Sequence, residues 1–313
     1  MHINSIDYLG CPACNNRLRL KVTEQDCYEI VHGVLECLSC NRHFEIKDGL
    51  PDLTFPESLA DLDLQSQSMY DRREDSSHGS NLSLANIRGF LEALGKLVSH
   101  KGRCPSEAGF GSLLNFKFPD AIRFFGLGIW EFALWETRAR KQIIDRLELK
   151  KNDTVLETGV GTGQNLAIIA KQIGPDAQLD GMDLSSESLK VAHSKMRRRG
   201  IQVELVQGNA SYLPYRTATF DAVLHMGAMD VIADQKRAIS EMHRVAKPGA
   251  KIVISDEGLA PGKEKTWLGK WILNLSPVFA YKPPVEQVPA GIEDFQVDWV
   301  WQRTFWVMEF RKK

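Results

Sequence analysis

From Thr154 onward, short apolar runs alternate with longer amphipathic stretches, and this pattern predicts alternating β-strands and α-helices. Two more apolar runs, 295–300 and 304–310, are separated only by a Trp-Gln-Arg turn, which predicts a closing β-hairpin. The order predicts an α/β fold with a parallel sheet covered by helices on both faces. The five predicted strands before the hairpin lie in segments 154–158, 178–184, 203–210, 220–227 and 245–255.

The segments around this region have other patterns. Residues 54–80 lose apolar periodicity and collect Asp, Ser and Gln, which predicts a linker or mobile loop. Helical spacing of apolar residues predicts helices within 81–100 and 128–147, and Trp130 and Trp135 of the second are either core or substrate-facing. Between the fifth strand and the hairpin, residues 263–279 predict one more amphipathic helix.

A glycine-rich turn follows the first predicted strand. Gly159, Gly161 and Gly163 let the backbone bend sharply and approach a ligand where a Cβ would collide. The dinucleotide fingerprint G-x-G-x-x-G requires a glycine at the position of Gln164. The G-x-G-x-G spacing therefore favours S-adenosylmethionine over a nicotinamide cofactor.

Polar residues follow the predicted strands at the edge where ligands bind in open α/β sheets. Asp183, at the end of the second strand, is placed to accept hydrogen bonds from ribose hydroxyls. The other residues predicted at this edge are Glu157, Asn209, His225 and 255–257.

These motifs, in this order, resemble those of class I S-adenosylmethionine-dependent methyltransferases over residues 140–313. The resemblance implies a Rossmann-like seven-stranded sheet with an antiparallel last strand. It assigns Glu157 and the glycine loop to the methionine part of the cofactor and Asp183 to the ribose. Asn209 takes the adenine-contacting position, where many relatives have Asp, and its amide oxygen can accept from the exocyclic amine. The residues that it implies for cofactor binding are Glu157, Thr158, Gly159, Gly161, Gly163, Asn165, Asp183, Leu184, Asn209, Ala210, His225 and Met226.

The reaction implied is an in-line displacement at a sulfonium methyl group, in which the protein mainly aligns donor and acceptor. A general base is needed only if the acceptor is protonated. His225 is the candidate because the unperturbed pKa of histidine lies near neutrality, and simple packing against the cofactor is its alternative. Tyr70, in the Met-Tyr-Asp sequence at 69–71, is the other candidate active-site residue. The resemblance implies a Tyr-Asp pair that closes over the cofactor, and plain packing is the alternative.

Four of the six cysteines form two C-x-x-C pairs, Cys11/Cys14 and Cys37/Cys40. Two such turns present four thiolates to one ion, so the spacing predicts a structural Zn²⁺ site. A pair of disulfides and a redox motif are the alternatives. A reducing compartment disfavours the first, and the lack of a surrounding βαβ pattern disfavours the second. Cys27 and Cys104 lie outside the pattern as ordinary thiols.

The residues flanking these cysteines resemble the small Trm112-type zinc-ribbon family, whose free-standing members activate partner methyltransferases. Fusion to a catalytic domain favours a scaffolding or oligomerising role for this ribbon. A ribbon of this size buries little apolar surface, so metal binding is expected to supply most of its folding free energy. The predicted organisation is a zinc ribbon at 1–53, a linker and helical cap at 54–146, and a catalytic domain at 147–313.

Composition narrows the possible partners. The chain has 313 residues, a formal net charge of −1 and an isoelectric point near 6.7, so no global basic excess favours nucleic acid. No apolar run reaches the roughly 18 residues of a membrane span. The first residues do not resemble a signal peptide, because Asp7 and the early cysteines interrupt any apolar segment. The expected location is the cytoplasm.

The function predicted from the sequence is methyl transfer from S-adenosylmethionine to a small, apolar or aromatic acceptor. The apolar helix at 263–279 is expected to cap that acceptor, to contact a membrane surface peripherally, or simply to pack in the core. One alternative is an rRNA or tRNA base methyltransferase, since zinc ribbons are also fused to such enzymes. Another is a non-catalytic subunit that binds S-adenosylmethionine for regulation or assembly. A homodimer is compatible with all three.

Overall fold

The computed structural model describes residues 1–27, 29–74 and 137–313. The predicted helix at 81–100, the first part of the one at 128–147, Trp130, Trp135 and Cys104 lie outside these ranges. Within them, residues 1–72 and 139–313 form one compact unit. The domain boundaries after residues 53 and 146 stay predictions.

The N-terminal segment forms a four-stranded antiparallel sheet in the order β1-β2-β3-β4. Its strands are β1 (Leu18–Asp26), β2 (Glu29–Cys37), β3 (His43–Lys47) and β4 (Leu50–Pro51). One C-x-x-C turn precedes β1, and the other lies between β2 and β3. The zinc-ribbon prediction therefore has the antiparallel framework that it requires.

The second sheet has seven strands in the order β10-β11-β9-β8-β5-β6-β7. Strands β5 to β9 pair in parallel, whereas β11 runs antiparallel to both β9 and β10. This confirms the predicted parallel sheet, the hairpin and the antiparallel last strand of the chain. The strands are β5 (Val155–Thr158), β6 (Leu179–Asp183), β7 (Glu204–Gln207), β8 (Phe220–Met226), β9 (Ala246–Glu257), β10 (Ile292–Val300) and β11 (Phe305–Lys312).

Helices connect the strands of this sheet, and side chains cap several of them. Ser185 Oγ, Asp234 Oδ1 and Thr266 Oγ1 each accept a hydrogen bond from a main-chain N–H in the first turn that follows. Residues 137–144 are also helical. The remaining helices are α1 (Asp61–Glu74), α2 (Leu166–Ile173), α3 (Ser186–Arg198), α4 (Gln235–Val245) and α5 (Trp267–Leu275). No helix in the described ranges combines the length and apolar character needed to cross a bilayer.

The structure corrects two local predictions. Residues 61–74, predicted as linker or mobile loop, form α1. Its sequence has no apolar stripe because its face toward the sheet is polar, so a search for apolar periodicity misses it. The predicted helix at 263–279 is only α5, with short 3-10 turns at Lys263–Lys265 and Pro277–Ala280 on either side.

The ribbon pairs by main-chain hydrogen bonds with strand β7 and with the segment after it. Leu53 N donates to Gln207 O at 2.9 Å, next to a parallel bridge between Asp52 and Gln207. A second connection is antiparallel, with Gly10 N donating to Pro214 O at 3.0 Å. Since β7 is the edge of the larger sheet, the ribbon covers backbone groups that would otherwise be exposed.

The two sheets also share one hydrophobic core. Leu9, Leu35 and Leu53 of the ribbon are fully buried in the same cluster as Trp306 of the larger sheet and Tyr215, which lies between β7 and β8. The ribbon therefore buries apolar surface against its neighbour as well as within itself. This burial is a source of folding free energy for the ribbon that does not depend on a metal ion.

Candidate active site

The glycine turn after β5 adopts the conformation that its sequence predicts. Gly159, Gly161 and Gly163 have φ angles of 68°, 51° and 71°, a region that L-residues rarely adopt. A Cβ on Gly163 would lie 3.2 Å from Ala192 Cβ, so this glycine also lets α3 pack closely. A Cβ on Gly161 would meet nothing within 4 Å, so this part of the turn faces open space.

Glu157 occupies the carboxyl end of β5 and is fully buried. Asn165 Nδ2 donates to Glu157 Oε1 at 2.6 Å, while Glu157 Oε2 has no hydrogen-bond partner among the described residues. Burial raises the pKa of this carboxyl group to about 8. A buried carboxyl oxygen with no partner beside a glycine turn can accept a hydrogen bond from a cationic group, such as the ammonium of an amino acid, which would favour the ionised form.

Arg140, which was not predicted from the sequence, lies among the candidate site residues. Its Nη1 donates to Asn165 Oδ1 at 3.0 Å and lies 3.6 Å from Met226 Sδ. Its positive charge also acts on Glu157, where it partly opposes the effect of burial on the pKa. The three predicted residues Glu157, Asn165 and Met226 are therefore brought together around this guanidinium group.

Asp183 ends β6 beside the same turn. Its Oδ2 accepts from Gly161 N at 2.7 Å and its Oδ1 accepts from Ser185 N at 2.9 Å. Burial raises the pKa of this carboxyl group, and the main-chain donors oppose that shift. Each oxygen retains acceptor capacity, so the pair of oxygens can bind a vicinal diol such as a ribose.

Asn209 follows β7 and caps the 3-10 turn Ala210–Tyr212. Its Oδ1 accepts from Ser211 N at 2.9 Å, and its Nδ2 donates to Asp63 Oδ2 at 3.0 Å. Both ends of the amide are engaged within the protein. Ala210, the other residue predicted for adenine contact, is half-buried at the start of that turn.

His225 lies next to Thr158 across the parallel pair β5 and β8. Its Nδ1 is 3.0 Å from Thr158 Oγ1, and its Nε2 has no hydrogen-bond partner among the described residues. A Cβ on Gly159 would approach the ring to 3.2 Å, so the imidazole packs on the glycine turn. Burial lowers the pKa of His225 to about 4, which keeps the ring neutral at pH 7.

The residues at the end of β9 serve the structure. Ser255 Oγ donates to Trp306 O at 2.8 Å, and Asp256 Oδ2 accepts from Met229 N at 2.7 Å. These contacts hold the neighbouring strand and the turn after β8. Residues 255–257 therefore lie at the predicted edge with polar groups engaged in the fold.

Helix α1 brings a row of polar residues to this edge, which sequence reasoning also missed. Asp63, Gln67 and Asp71 are four residues apart and share one face of the helix. Gln67 Nε2 donates to Leu184 O at 3.1 Å, and Ser185 Oγ donates to Asp71 Oδ1 at 2.5 Å. The polar i, i+4, i+8 spacing is the signal that could have identified them. Tyr70 lies on the same helix, and its role stays a prediction.

The four predicted zinc ligands form a compact cluster. The Sγ atoms of Cys11, Cys14, Cys37 and Cys40 all lie within 4.8 Å of one another. Distances of 3.5 Å separate Cys11 Sγ from Cys40 Sγ and Cys14 Sγ from Cys37 Sγ. Four thiolates at this spacing fit a tetrahedral Zn²⁺ site, and no disulfide joins these cysteines. Cys27 is exposed outside the cluster, as predicted.

Two segments match known protein families. Residues 155–249 match the family described as "Methyltransferase domain", and residues 6–49 match "Trm112p-like protein". The first match spans the glycine turn and strands β5 to β8, and the second spans all four cysteines. Residues 155–249 are thus similar to methyltransferase domains, and residues 6–49 are similar to Trm112p-like proteins.

Curated relatives match a stretch of about a third of this chain. A demethylmenaquinone methyltransferase of Anoxybacillus flavithermus is 37% identical over 115 residues, which are 36% of this chain and 48% of that protein. The enzyme of the same name from Lactobacillus johnsonii is 33% identical over 117 residues, covering 37% and 48%. The chain thus spans about half the length of the relatives that it matches.

Among solved structures, a SAM-dependent methyltransferase from Aquifex aeolicus has a TM-score of 0.43 and 22% identity. That alignment covers 56% of this chain and 89% of the other.

Proposed function

We propose that this chain is an enzyme that transfers a methyl group from S-adenosylmethionine to a small, apolar or aromatic acceptor. The observation that carries the proposal is the unpartnered, buried Oε2 atom of Glu157 beside the open glycine turn. Burying a polar oxygen without a hydrogen-bond partner is costly, so a site that retains one is suited to a ligand that supplies the partner.

The residues along the strand ends match the successive parts of this cofactor. Glu157 would hold the ammonium group, Asp183 the ribose hydroxyls, and the segment at Asn209 the adenine. When bound, S-adenosylmethionine supplies the electrophilic methyl group. The chain's own contribution is to hold donor and acceptor in line.

His225 has a defined role in this proposal. Its ring is neutral and its Nε2 can accept a hydrogen bond, so it would orient a hydroxyl group on the acceptor. Its lowered pKa makes the ring a weak base, so we propose this orienting role in place of proton removal. Tyr70 would cover the cofactor from α1. These roles are separable, because a variant of His225 would lower turnover while a variant of Tyr70 would weaken cofactor binding.

We infer the class of methyl acceptor from the names of the relatives. Demethylmenaquinone methyltransferases carry a quinone substrate in their name, and we propose a reduced, demethylated naphthoquinone as the acceptor class. Such a ring is flat and apolar with hydroxyl groups at its edge, which suits the proposed contact with His225.

Binding and turnover together test the proposal. Titration calorimetry is expected to show binding of S-adenosylhomocysteine, with at least a tenfold loss in Asp183→Ala, because two hydrogen bonds to the ribose disappear. Asp176→Ala, an exposed residue of the same type, is the matched control and is expected to bind like the parent. Mass spectrometry of a reduced demethylnaphthoquinone should show a gain of one methyl group.

The other outcomes are distinct. Cofactor binding without transfer to the quinol or to RNA would favour a non-catalytic subunit. Salt-sensitive RNA binding with base methylation would favour the nucleic-acid alternative. Absence of cofactor binding in folded protein would contradict the proposal itself.

We further propose that the cysteine cluster binds one structural Zn²⁺. The support is the close grouping of four sulfur atoms on two turns of an antiparallel sheet. Asn16 Nδ2 also lies 3.4 Å from Cys14 Sγ, where it can donate a hydrogen bond to a thiolate. Metal analysis of purified protein is expected to find about one zinc per chain.

The surface of α5 supports a peripheral membrane contact. Trp267 is 74% exposed and Leu268 is 43% exposed, next to the exposed Lys265 and Lys270. Apolar and cationic side chains together suit an anionic lipid surface. Trp267→Ser is expected to reduce cosedimentation with anionic vesicles, whereas Phe295→Ser, at an exposed aromatic residue of β10, is expected to leave it unchanged.

A further inference from the structure

The buried hydrogen bond between Asp63 and Asn209 joins α1 to the end of β7. Asn209 Nδ2 donates to Asp63 Oδ2 at 3.0 Å, and both side chains are buried. Ala233 N donates to the other oxygen, Asp63 Oδ1, at 3.0 Å. A residue from the segment before the methyltransferase domain thus brings a carboxylate into the proposed adenine end of the site.

The orientation of the Asn209 amide follows from its partners. Its oxygen accepts from Ser211 N at 2.9 Å, so its NH₂ group must face Asp63. If the Asn209 amide were rotated by 180°, its NH₂ group would face the N–H of Ser211 and its oxygen would face the Asp63 carboxylate. Asn209 therefore acts as a donor toward α1 and holds the Asp63 carboxylate in place.

Asp63 retains the capacity to accept more hydrogen bonds. An ionised carboxylate has about four acceptor positions, and Asp63 uses two of them for Asn209 and Ala233. A hydrogen bond to an ionised acceptor is shorter and about twice as strong as one to a neutral amide oxygen. Of the two neighbouring groups, the carboxylate is the better acceptor for an exocyclic amine.

We propose that Asp63 recognises the exocyclic amino group of the cofactor's adenine, with Asn209 as its positioning residue. This inference rests on the proposed function, since it names a specificity-determining residue of the same cofactor site. In this assignment the group that accepts a hydrogen bond from the adenine amine is Asp63 of α1, and not Asn209 at the end of β7. The chain thereby makes base recognition depend on the segment between ribbon and methyltransferase domain.

A change in the base alone tests this assignment. S-inosylhomocysteine differs from S-adenosylhomocysteine in having a 6-oxo group, an acceptor, in place of the amino donor. The parent protein is expected to bind the adenosyl compound at least tenfold more tightly, because a buried carboxylate rejects an acceptor. Asp63→Asn is expected to reduce this ratio at least tenfold, because its NH₂ group can donate to the 6-oxygen.

The matched control is Asp61→Asn. Asp61 is exposed in the same first turn of α1, so its substitution removes the same charge from the same helix end. We expect the parent's adenosyl-to-inosyl ratio to persist in this variant. A ratio that falls equally in both aspartate variants would overturn the proposal, since a general charge effect would then explain it.

A reciprocal exchange tests the positioning role of Asn209. Asp63→Asn and Asn209→Asp each disturb the pair, whereas the double variant restores an amide–carboxylate hydrogen bond with its polarity reversed. The expected result is a thermal midpoint in the double variant above that of either single variant. Additive losses would overturn the pairing.

The outcomes separate this inference from the function on which it rests. A folded parent that binds neither nucleoside compound contradicts the proposed function. A parent that prefers the adenosyl compound, together with an unchanged ratio in Asp63→Asn, overturns only the role of Asp63. Circular dichroism establishes folding. If Asp63→Asn is unfolded, Asp63→Ser keeps an acceptor for Ala233 N and carries the same test.

Discussion

Leu53 N donates a hydrogen bond to Gln207 O at 2.9 Å, and this contact attaches the ribbon to the edge of the seven-stranded sheet. Gln207 Nε2 in turn donates to Leu184 O at 3.2 Å, which also accepts from Gln67 of α1. The Leu184 carbonyl, one residue after Asp183, thus connects α1 and the ribbon-bonded strand β7 at the proposed ribose site.

Shortening Leu53 tests how strongly the ribbon is attached. Its side chain is fully buried in the core shared by both sheets. Leu53→Ala is expected to lower the free energy of unfolding by about 2–5 kcal/mol, because it removes buried contacts and leaves a cavity. Leu64→Ala, at a side chain 47% exposed, is expected to stay within about 0.5 kcal/mol of the parent. Denaturant unfolding measures both, and equal losses would contradict the shared core.

Removal of a cysteine ligand tests the metal site. Cys37→Ser or Cys40→Ser is expected to abolish stoichiometric zinc and lower the thermal midpoint, since the proposed ion would link the end of β2 to the N-terminal turn. Plasma emission spectrometry and thermal unfolding report the two effects. Cys27→Ser, at an exposed thiol outside the cluster, is expected to retain the metal. Zinc retained in the Cys37→Ser/Cys40→Ser double variant would exclude the site.

Because the pKa of Glu157 is raised in the folded state, we expect the stability of the ligand-free protein to depend on pH. Burial raises its pKa to about 8 in the folded state, above the value of 4.5 expected for the unfolded chain. Its contribution is therefore fully present below pH 4.5 and is lost as the pH rises through 8. Relative to Glu157→Gln, the parent is expected to lose about 2 kcal/mol between about pH 6.5 and 8. Glu293→Gln, at an exposed glutamate, should keep the parent's slope.

We also expect the Glu157 carboxyl group to release a proton when the cofactor binds. Glu157 is largely protonated at pH 7 when no ligand is bound, but an ammonium group favours the carboxylate. Binding of S-adenosylhomocysteine at pH 7 is therefore expected to release about one proton. Calorimetry in two buffers of different ionisation enthalpy measures the release. Glu157→Gln should abolish it, and equal release in that variant would assign the proton to another group.

His225 is expected to stay neutral well into the acidic range. Burial lowers its pKa to about 4, below the usual 6.5, so its contribution to stability is complete above pH 6.5 and is lost as the pH falls toward 4. Proton–carbon NMR of the imidazole should show no protonation at pH 5.5, and His225→Gln identifies the signal by its absence. A ring that titrates near 6.5 would contradict the burial of this side chain.

Local patterns were sufficient to predict the sheet and part of the site. The strands from Val155 to Glu257 follow from apolar runs, and the left-handed turn at 159–163 follows from its glycines. Asp183 and His225 are found at the predicted strand ends because the ends of parallel strands share one edge of a sheet. The Cys11–Cys40 cluster follows equally from its spacing.

The sequence by itself determined the order of elements, the glycine turn and the cysteine pairs, since each depends on neighbouring residues. Only the tertiary structure decided that α1 joins the site, because the residues facing the sheet are polar and their partners lie more than 100 positions away. It also decided that Glu157 and His225 have opposite pKa shifts, as burial removes both from water and penalises the charged form of each.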